Sequence, residues 1–177
     1  MGRKLTAYLA LTVLAAACLG ACNTSGCLDN RSSLPLAEFR SSATGDVISV
    51  DSLEVVGVGA PDGDVLSPAT PAKSQLYLPM RSTQSSTAWQ FIYRQKALDN
   101  PDLIDTVEFE YESIPYFASE ECGASYRYRV TKVSHTTHLI DSVRMADSLI
   151  TNIDRVAILI YFRTQEADQP EQEAGDR

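Results

Sequence analysis

Two histidines lie close together at His135 and His138, and histidine nitrogens are common metal ligands. Residues at this spacing can share a metal on a helix or a tight turn, whereas on a strand they point to opposite faces. No cysteine or carboxylate cluster at ligand spacing accompanies them in the sequence, and structural zinc normally needs four ligands. We therefore expect both histidines to be solvated residues of a turn, with no metal site.

Two short acidic stretches, at residues 62–64 (DGD) and 99–102 (DNPD), could supply oxygen ligands for calcium. Neither continues into the alternating acids and distant glutamate of a dedicated calcium loop. Hydrogen bonds from Asp and Asn side chains to their own backbone explain both stretches as turns. The sequence therefore predicts no calcium site and no cofactor.

Three glutamates alternate with apolar residues at Glu108, Glu110 and Glu112, and paired carboxylates are the groups that hydrolyse glycosidic bonds. That chemistry needs two carboxyls on opposite sides of a substrate, one of them with a raised pKa in an apolar pocket. A row along one strand instead predicts a charged outer surface. Because the sequence also lacks a GxSxG turn and a free Cys/His pair, we predict a protein that is not an enzyme and has no catalytic residue.

A pattern of aspartate, hydroxyl residue and apolar residue recurs four times in the chain. It resembles the O-glycosylation site of exported proteins in some Gram-negative gut bacteria, in which the central residue carries the sugar. The alternative is ordinary turn-to-strand chemistry, because an Asp side chain readily stabilises a turn. The candidate O-glycosylation residues are Ser52, Thr106, Ser142 and Ser148.

Alternation of apolar and polar residues with period two dominates the chain and predicts strands. The clearest examples are 107–111 and 126–130, which place an acidic row beside a basic row if they pair antiparallel. The unbroken apolar run at 156–162 predicts a strand buried on both faces at the centre of a sheet. Further strands are predicted at 34–40, 47–58, 76–80 and 89–93, an exposed loop at 60–64 and 67–71, and either a loose helix or a strand with a turn at 140–153.

About seven to eight short strands without a convincing long helix predict an all-β fold. We expect a single antiparallel β-sandwich, of the immunoglobulin-like or transthyretin-like kind. Its alternating aromatic residues are expected in the core rather than on a sugar-stacking surface. These residues are Trp89, Phe91, Tyr93, Phe109, Tyr111, Tyr126 and Tyr128.

The first 22 residues combine a cationic start, an apolar core at 5–17 that is too short to span a bilayer, and the ending Leu19-Gly20-Ala21-Cys22. This ending resembles the signal-peptide motif of bacterial lipoproteins. The resemblance implies that Cys22 is acylated, becomes the mature N-terminus and attaches the protein to a membrane, since several acyl chains give stable anchoring. The expected division of the chain is a signal peptide at 1–21, a tether at 22–33, the sandwich at 34–163 and an acidic disordered tail at 164–177.

Removal of the leader takes away Arg3 and Lys4 and no acid, so 13 basic and 23 acidic residues remain and the formal charge changes from −8 to −10. A surface of that sign repels nucleic-acid phosphates, so no nucleic-acid partner is expected. Cys18 leaves with the leader, and an exported compartment favours a disulfide between the remaining Cys27 and Cys122. Two independent thiols, one exposed and one buried, are the alternative.

Several short motifs resemble a family of small lipoproteins of unknown function from Gram-negative gut commensals. They are the lipoprotein motif with Cys27 close behind it, the stretches 51–53 (DSL), 105–111 (DTVEFEY) and 122–128 (CGASYRY), and the last apolar strand. The resemblance covers most of 34–162. It implies an all-β envelope domain and lends no catalytic residue.

Together these features predict a lipid-anchored cell-envelope protein with a non-enzymatic binding or structural role. A carbohydrate-binding or carbohydrate-acting module is the alternative. Because Asn23 follows the lipidated cysteine and no acidic cluster comes directly after it, we expect the outer membrane, on its periplasmic face rather than the cell surface. The binding hypothesis, with an envelope protein or a glycan as partner, predicts an exposed aromatic patch or an uncovered strand edge. The carbohydrate hypothesis requires a cleft with two carboxylates and an aromatic floor.

Overall fold

The computed structural model describes residues 33–60, 64–95, 103–119 and 123–164. These residues form ten β-strands, and none of them belongs to a helix that could span a membrane. The strands are β1 (Leu36–Ser41), β2 (Leu53–Gly57), β3 (Val65–Ser67), β4 (Gln75–Tyr77), β5 (Ser86–Tyr93), β6 (Ile104–Ser119), β7 (Gly123–His135), β8 (Ile140–Met145), β9 (Leu149–Ile150) and β10 (Val156–Phe162).

The strands build two sheets that pack face to face, which confirms the predicted all-β sandwich. A four-stranded sheet has the order β4-β1-β10-β8, and a six-stranded sheet has the order β3-β2-β5-β6-β7-β9. The first and the last strand, β1 and β10, run parallel, so the prediction of a purely antiparallel sandwich is wrong at this pair. The strand count exceeds the expected seven to eight because β3 and β9, with three and two residues, are too short to show a period. β3 lies between the two stretches predicted as loop and overlaps the second of them at Ser67.

Two predicted elements divide differently in the structure. The strand predicted at 47–58 is confirmed only for 53–57. The residues before it cross from one sheet to the other and form isolated bridges from Val47 to Arg40 of β1 and from Val50 to Lys73. The ambiguous stretch 140–153 forms two strands that belong to different sheets, β8 beside β10 and β9 beside β7. Both differences arise because a chain that changes sheets interrupts the period of two.

The core lies between the two sheets and is rich in aromatic rings. The Phe39 ring of β1 meets the Phe91 ring of β5 across the interface at 6.5 Å and the Phe162 ring of β10 at 5.3 Å. Strand β10 lies in the interior of its sheet as predicted, but burial on both faces is wrong. Its outward residues Leu159 and Tyr161 are only half-buried, and the Arg144 guanidinium carbon lies 5.1 Å from the centre of the Tyr161 ring.

The outer face of the β6–β7 pair carries the predicted rows of opposite charge. Lys132 Nζ lies 2.6 Å from Glu110 Oε1, and Arg129 Nη1 lies 3.8 Å from Glu112 Oε2. A register shift between Glu110 and Tyr111 inserts one extra residue in β7, which turns Lys132 toward the same face as Arg129. Opposite charges on facing strands favour this register over slipped alternatives.

Candidate functional site

The long hairpin formed by β6 and β7 projects beyond the end of the sandwich. Strand β5 begins at Ser86 opposite Glu110, and Tyr111 N donates to Ser85 O at 2.8 Å. From residue 112 to 119, β6 is paired only with β7 among the described residues. At about 3.3 Å per residue, the six residues from Glu112 to Phe117 extend about 20 Å past this point. The structure therefore contains an uncovered strand edge, interrupted by Pro115, which cannot donate a ladder hydrogen bond.

One face of the projecting hairpin is apolar and exposed. Pro115 lies opposite Tyr126, and Phe117 lies opposite Ala124 in the register, so these four side chains share a face. Phe117 is 67% exposed and Tyr126 is 40% exposed. We call Pro115, Phe117, Ala124 and Tyr126 the shelf. It continues the core-facing side of the six-stranded sheet beyond the point where the other sheet ends.

The opposite face of the hairpin is held together by a cation–π contact. The Arg127 guanidinium carbon lies 4.1 Å from the centre of the Tyr116 ring, on the face of the hairpin opposite to the shelf. Tyr116 Oη and Arg127 Nε on this face are removed from solvent without a hydrogen-bond partner, as is Ser113 Oγ on the shelf side. Buried polar atoms of this kind are uncommon in native structures and favour a further contact at the hairpin.

The described chain begins at the same end of the sandwich as the hairpin. Pro35 O accepts a hydrogen bond from Leu78 N at 3.0 Å, and two residues later Met80 O accepts one from Tyr128 Oη at 3.4 Å. Tyr111 Oη also receives a hydrogen bond from Arg81 N at 2.9 Å. The segment 78–81 therefore links the N-terminal entry of the domain to both strands at the base of the hairpin.

At the other end of the sandwich, a fully buried carboxylate fastens the connection between β7 and β8. Asp105 Oδ1 accepts hydrogen bonds from Thr136 Oγ1 at 2.7 Å and from His138 N at 2.8 Å. Its Oδ2 accepts from Tyr93 Oη at 2.9 Å, from Leu139 N at 2.8 Å and from Ile140 N at 2.9 Å. The connection passes from the six-stranded to the four-stranded sheet, so this one side chain joins the two layers.

The environment of Asp105 keeps it ionised. Burial by itself raises the pKa of the Asp105 carboxyl, but the hydrogen bonds from Ile140 N, His138 N, Thr136 Oγ1 and Leu139 N more than offset burial, and the pKa is lowered. Burial and the adjacent Asp105 charge raise the pKa of the Tyr93 hydroxyl far above its ordinary value of 10.0. Asp105 therefore stays a carboxylate, and the Tyr93 hydroxyl stays protonated and donates to it. The sequence offered one signal for it, an acid on the inward positions of β6, which the prediction of a simple turn-to-strand Asp overlooked.

The structure places only one of the two histidines in the turn where both were predicted. His135 ends β7 and His138 lies exposed in the connection, where its Nδ1 is 3.3 Å from Asp105 Oδ1. Within the described ranges no three His, Cys, Asp or Glu side chains come close enough to hold a metal. The structure describes only Asp64 of the stretch 62–64 and no residue of the stretch 99–102. Both candidate calcium sites therefore lie outside the described residues.

The three glutamates lie on the outer face of β6, as the sequence predicted. Glu108 and Glu110 border a shallow depression of about 320 Å³ together with Ser85, Ser86, Tyr111 and Thr131. Its only aromatic neighbour, Tyr111, is buried and uses its hydroxyl to bond Thr87 and Arg81. The depression therefore lacks the exposed aromatic floor that the carbohydrate hypothesis requires.

The remaining predicted residues divide between exposed positions and the undescribed chain. Ser148 is exposed, and Ser52, Thr106 and Ser142 are partly exposed, and their glycosylation stays a prediction. Cys22, Cys27 and Cys122 lie outside the described residues, as do the leader and nearly all of the tether and tail. Thr164, the first residue of the predicted tail, still contacts the domain through Ser41 Oγ at 2.6 Å. Of the seven aromatic residues predicted in the core, six are buried and Tyr126 is not.

The fold and the site define a small β-sandwich with a projecting, aromatic-tipped hairpin. Residues 52–162 match a family of unknown function, DUF6452, and the chain belongs to this family. The match begins at the residue before β2 and ends with β10, so it includes the hairpin and Asp105. No curated protein and no solved structure matches the chain.

Proposed function

We propose that this protein is a lipid-anchored component of the cell envelope with a non-enzymatic binding role, and that the shelf is its binding surface. The observation that carries the proposal is the exposed pair Phe117 and Tyr126 on a face that the sandwich itself leaves uncovered. Aromatic residues are enriched where proteins bind partners, because they offer a large apolar area at a small cost in conformational entropy. The partner we propose is another envelope protein.

The entry point of the chain supports this assignment. Cys22 precedes Ser33 by eleven residues, which reach at most about 40 Å when fully extended. Because Pro35 lies beside the segment that contacts the hairpin base, an acylated Cys22 would keep the shelf near the membrane. The proposed site of action is the outer membrane, on its periplasmic face, because Asn23 follows Cys22 and no acidic cluster comes directly after it.

Acylation is expected to depend on Cys22 alone. Cells that express the full chain and are fed an alkyne analogue of palmitate should yield a labelled protein, and Cys22→Ala should abolish the label. Cys18→Ala, a change of the same type inside the leader, is the matched control and should keep it. Retention of the label by Cys22→Ala, or an unlabelled wild-type protein with an uncut leader, would refute the lipid anchor.

The shelf is expected to capture one defined partner in intact cells. A photoreactive benzoylphenylalanine placed at Phe117 or at Tyr126 should give the same crosslinked product, identified by mass spectrometry as an envelope protein. The same probe at Tyr116, on the other face of the hairpin, and at Val47, 50% exposed at the far end of the sandwich, should not. Equal products from all four positions, or none from the shelf, would contradict a binding surface here. A crosslinked mass that glycosidases remove, with no peptides besides those of this protein, would identify a glycan as the partner and contradict the proposed protein partner.

A further inference from the structure

An open cavity of about 480 Å³ lies between the two sheets at the end opposite to the hairpin. Tyr93 and Phe162, the last residues of β5 and β10, form its floor with Val50 and Leu139. The Tyr93 and Phe162 rings meet edge to face, with centres 6.4 Å apart. The Tyr93 hydroxyl is turned away to Asp105, so the floor presents carbon atoms.

The rim of the cavity is polar and carries one charge of each sign. Asp51 and Arg163 lie on the rim with the amide of Gln95, whose Nε2 donates to Asp51 O at 2.9 Å. Asp141 Oδ1, just outside, is 3.6 Å from Arg163 Nε. Because acids and base offset one another, the rim does not select strongly for an ion. It offers hydrogen bonds above an apolar floor.

The Asp105 clamp holds one side of this rim in place. Arg163 Nη1 donates to Thr137 O at 2.6 Å and to His138 O at 3.1 Å. The carboxylate of Asp105 fixes the same connection through His138 N and Leu139 N. Leu139 in the wall and Arg163 on the rim are therefore positioned by a buried, fully hydrogen-bonded group, which gives a cavity with rigid walls.

We propose that this terminal cavity binds a compact, neutral small molecule that consists of one apolar ring and one hydrogen-bonding group. Its volume falls in the range of about 300–1,000 Å³ that is typical of small-molecule sites, and a buried apolar floor beneath a few polar groups is their usual composition. The inference is independent of the shelf and of lipid anchoring.

The probe for the test is para-fluorophenol, a water-soluble neutral ring with one hydroxyl. Fluorine NMR on the full chain in lipid nanodiscs, with empty nanodiscs as the reference, should show saturable line broadening. Leu139→Trp places an indole in the wall and should weaken binding at least about tenfold, because a filled cavity cannot admit the ring without strain. Ile48→Trp, a half-buried wall position, should weaken it as well.

Val47→Trp is the matched control, since Val47 precedes Ile48, is exposed and does not line the cavity. It should bind the probe as the wild-type protein does. Nuclear Overhauser effects from the probe to the Phe162 ring and the Leu139 methyl groups of the wild-type protein locate the site even if a tryptophan variant fails to fold. No saturable binding to the wild-type protein, contacts to other residues, or unchanged binding by both filled variants would overturn the proposal.

Discussion

Replacing Asp105 by alanine is expected to lower the free energy of unfolding by about 3–5 kcal/mol, because several buried donors lose their acceptor together. Three are consecutive backbone N–H groups, of His138, Leu139 and Ile140, and two are the hydroxyls of Tyr93 and Thr136. Urea unfolding followed by circular dichroism measures the loss. Asp51→Ala is the matched control, since the carboxylate of this exposed aspartate accepts a bond only from the adjacent Ser52 N in the described structure. An equal cost for both variants would contradict the clamp.

The same carboxylate makes a defined contribution to the acid sensitivity of the fold. Folding lowers the pKa of Asp105 below its ordinary value of 3.8, so on acidification the unfolded chain takes up this proton first. The stabilisation by Asp105 is therefore complete above the pKa of the unfolded chain and is lost as the pH falls through the lower pKa of the folded state. The side chain of Asp105→Asn does not titrate, and only one of its two terminal atoms, the amide oxygen, can accept hydrogen bonds. The variant should therefore be less stable at neutral pH and lose less stability on acidification. A parallel pH dependence of wild type and variant would contradict this assignment.

The second large effect is expected at Phe39. This ring is fully buried and contacts rings of both sheets, Phe91 and Phe162, so Phe39→Ala leaves a cavity in the centre of the sandwich. Losses of about 3–5 kcal/mol in the free energy of unfolding are typical of such a truncation. Phe117→Ala makes the same chemical change at a position that is 67% exposed and should alter stability by no more than about 0.5 kcal/mol. A comparable loss at Phe117 would show that the shelf is packed against the domain, contrary to its proposed role.

The sequence predicted the sandwich well wherever the chain stays in one sheet. Strands β5 and β6 alternate cleanly, and their inward aromatic residues are buried as predicted, namely Trp89, Phe91, Tyr93, Phe109 and Tyr111. Failures occur where the period is broken by the fold itself. The extra residue in β7 opposite Tyr111 turns Lys132 outward, where strict alternation would place it inward. The residues before β2 alternate as a strand would, but they form the crossing between the two sheets. The parallel pairing of β1 with β10 depends on contacts across the whole domain, which local pattern does not encode.

The site was harder to predict than the fold, for a physical reason that Tyr126 illustrates. Alternation reports which face of a sheet a side chain occupies, but not whether a second sheet lies opposite to cover it. Tyr126 and Tyr128 obey the same alternation, yet Tyr128 is buried and Tyr126 is 40% exposed, because the hairpin outruns its partner layer. The prediction for Asp105 failed in the opposite way, because the sequence did not indicate that this acid is buried. Its partners come from a connection about 30 residues away in the chain, and no local motif announces them.

The pairing of β1 with β10 has a consequence for how the protein is made. Val156 of β10 lies opposite Leu36 of β1, about 120 residues earlier in the chain. Until the last strand has been synthesised, β1 has only the three-residue β4 as a neighbour in the described structure, and a nascent chain cannot close this layer. Contacts of such long separation slow folding, since much chain must be ordered before they form. Completion of the four-stranded layer thus reports that translation has reached Phe162, and products truncated before it should fail to mature.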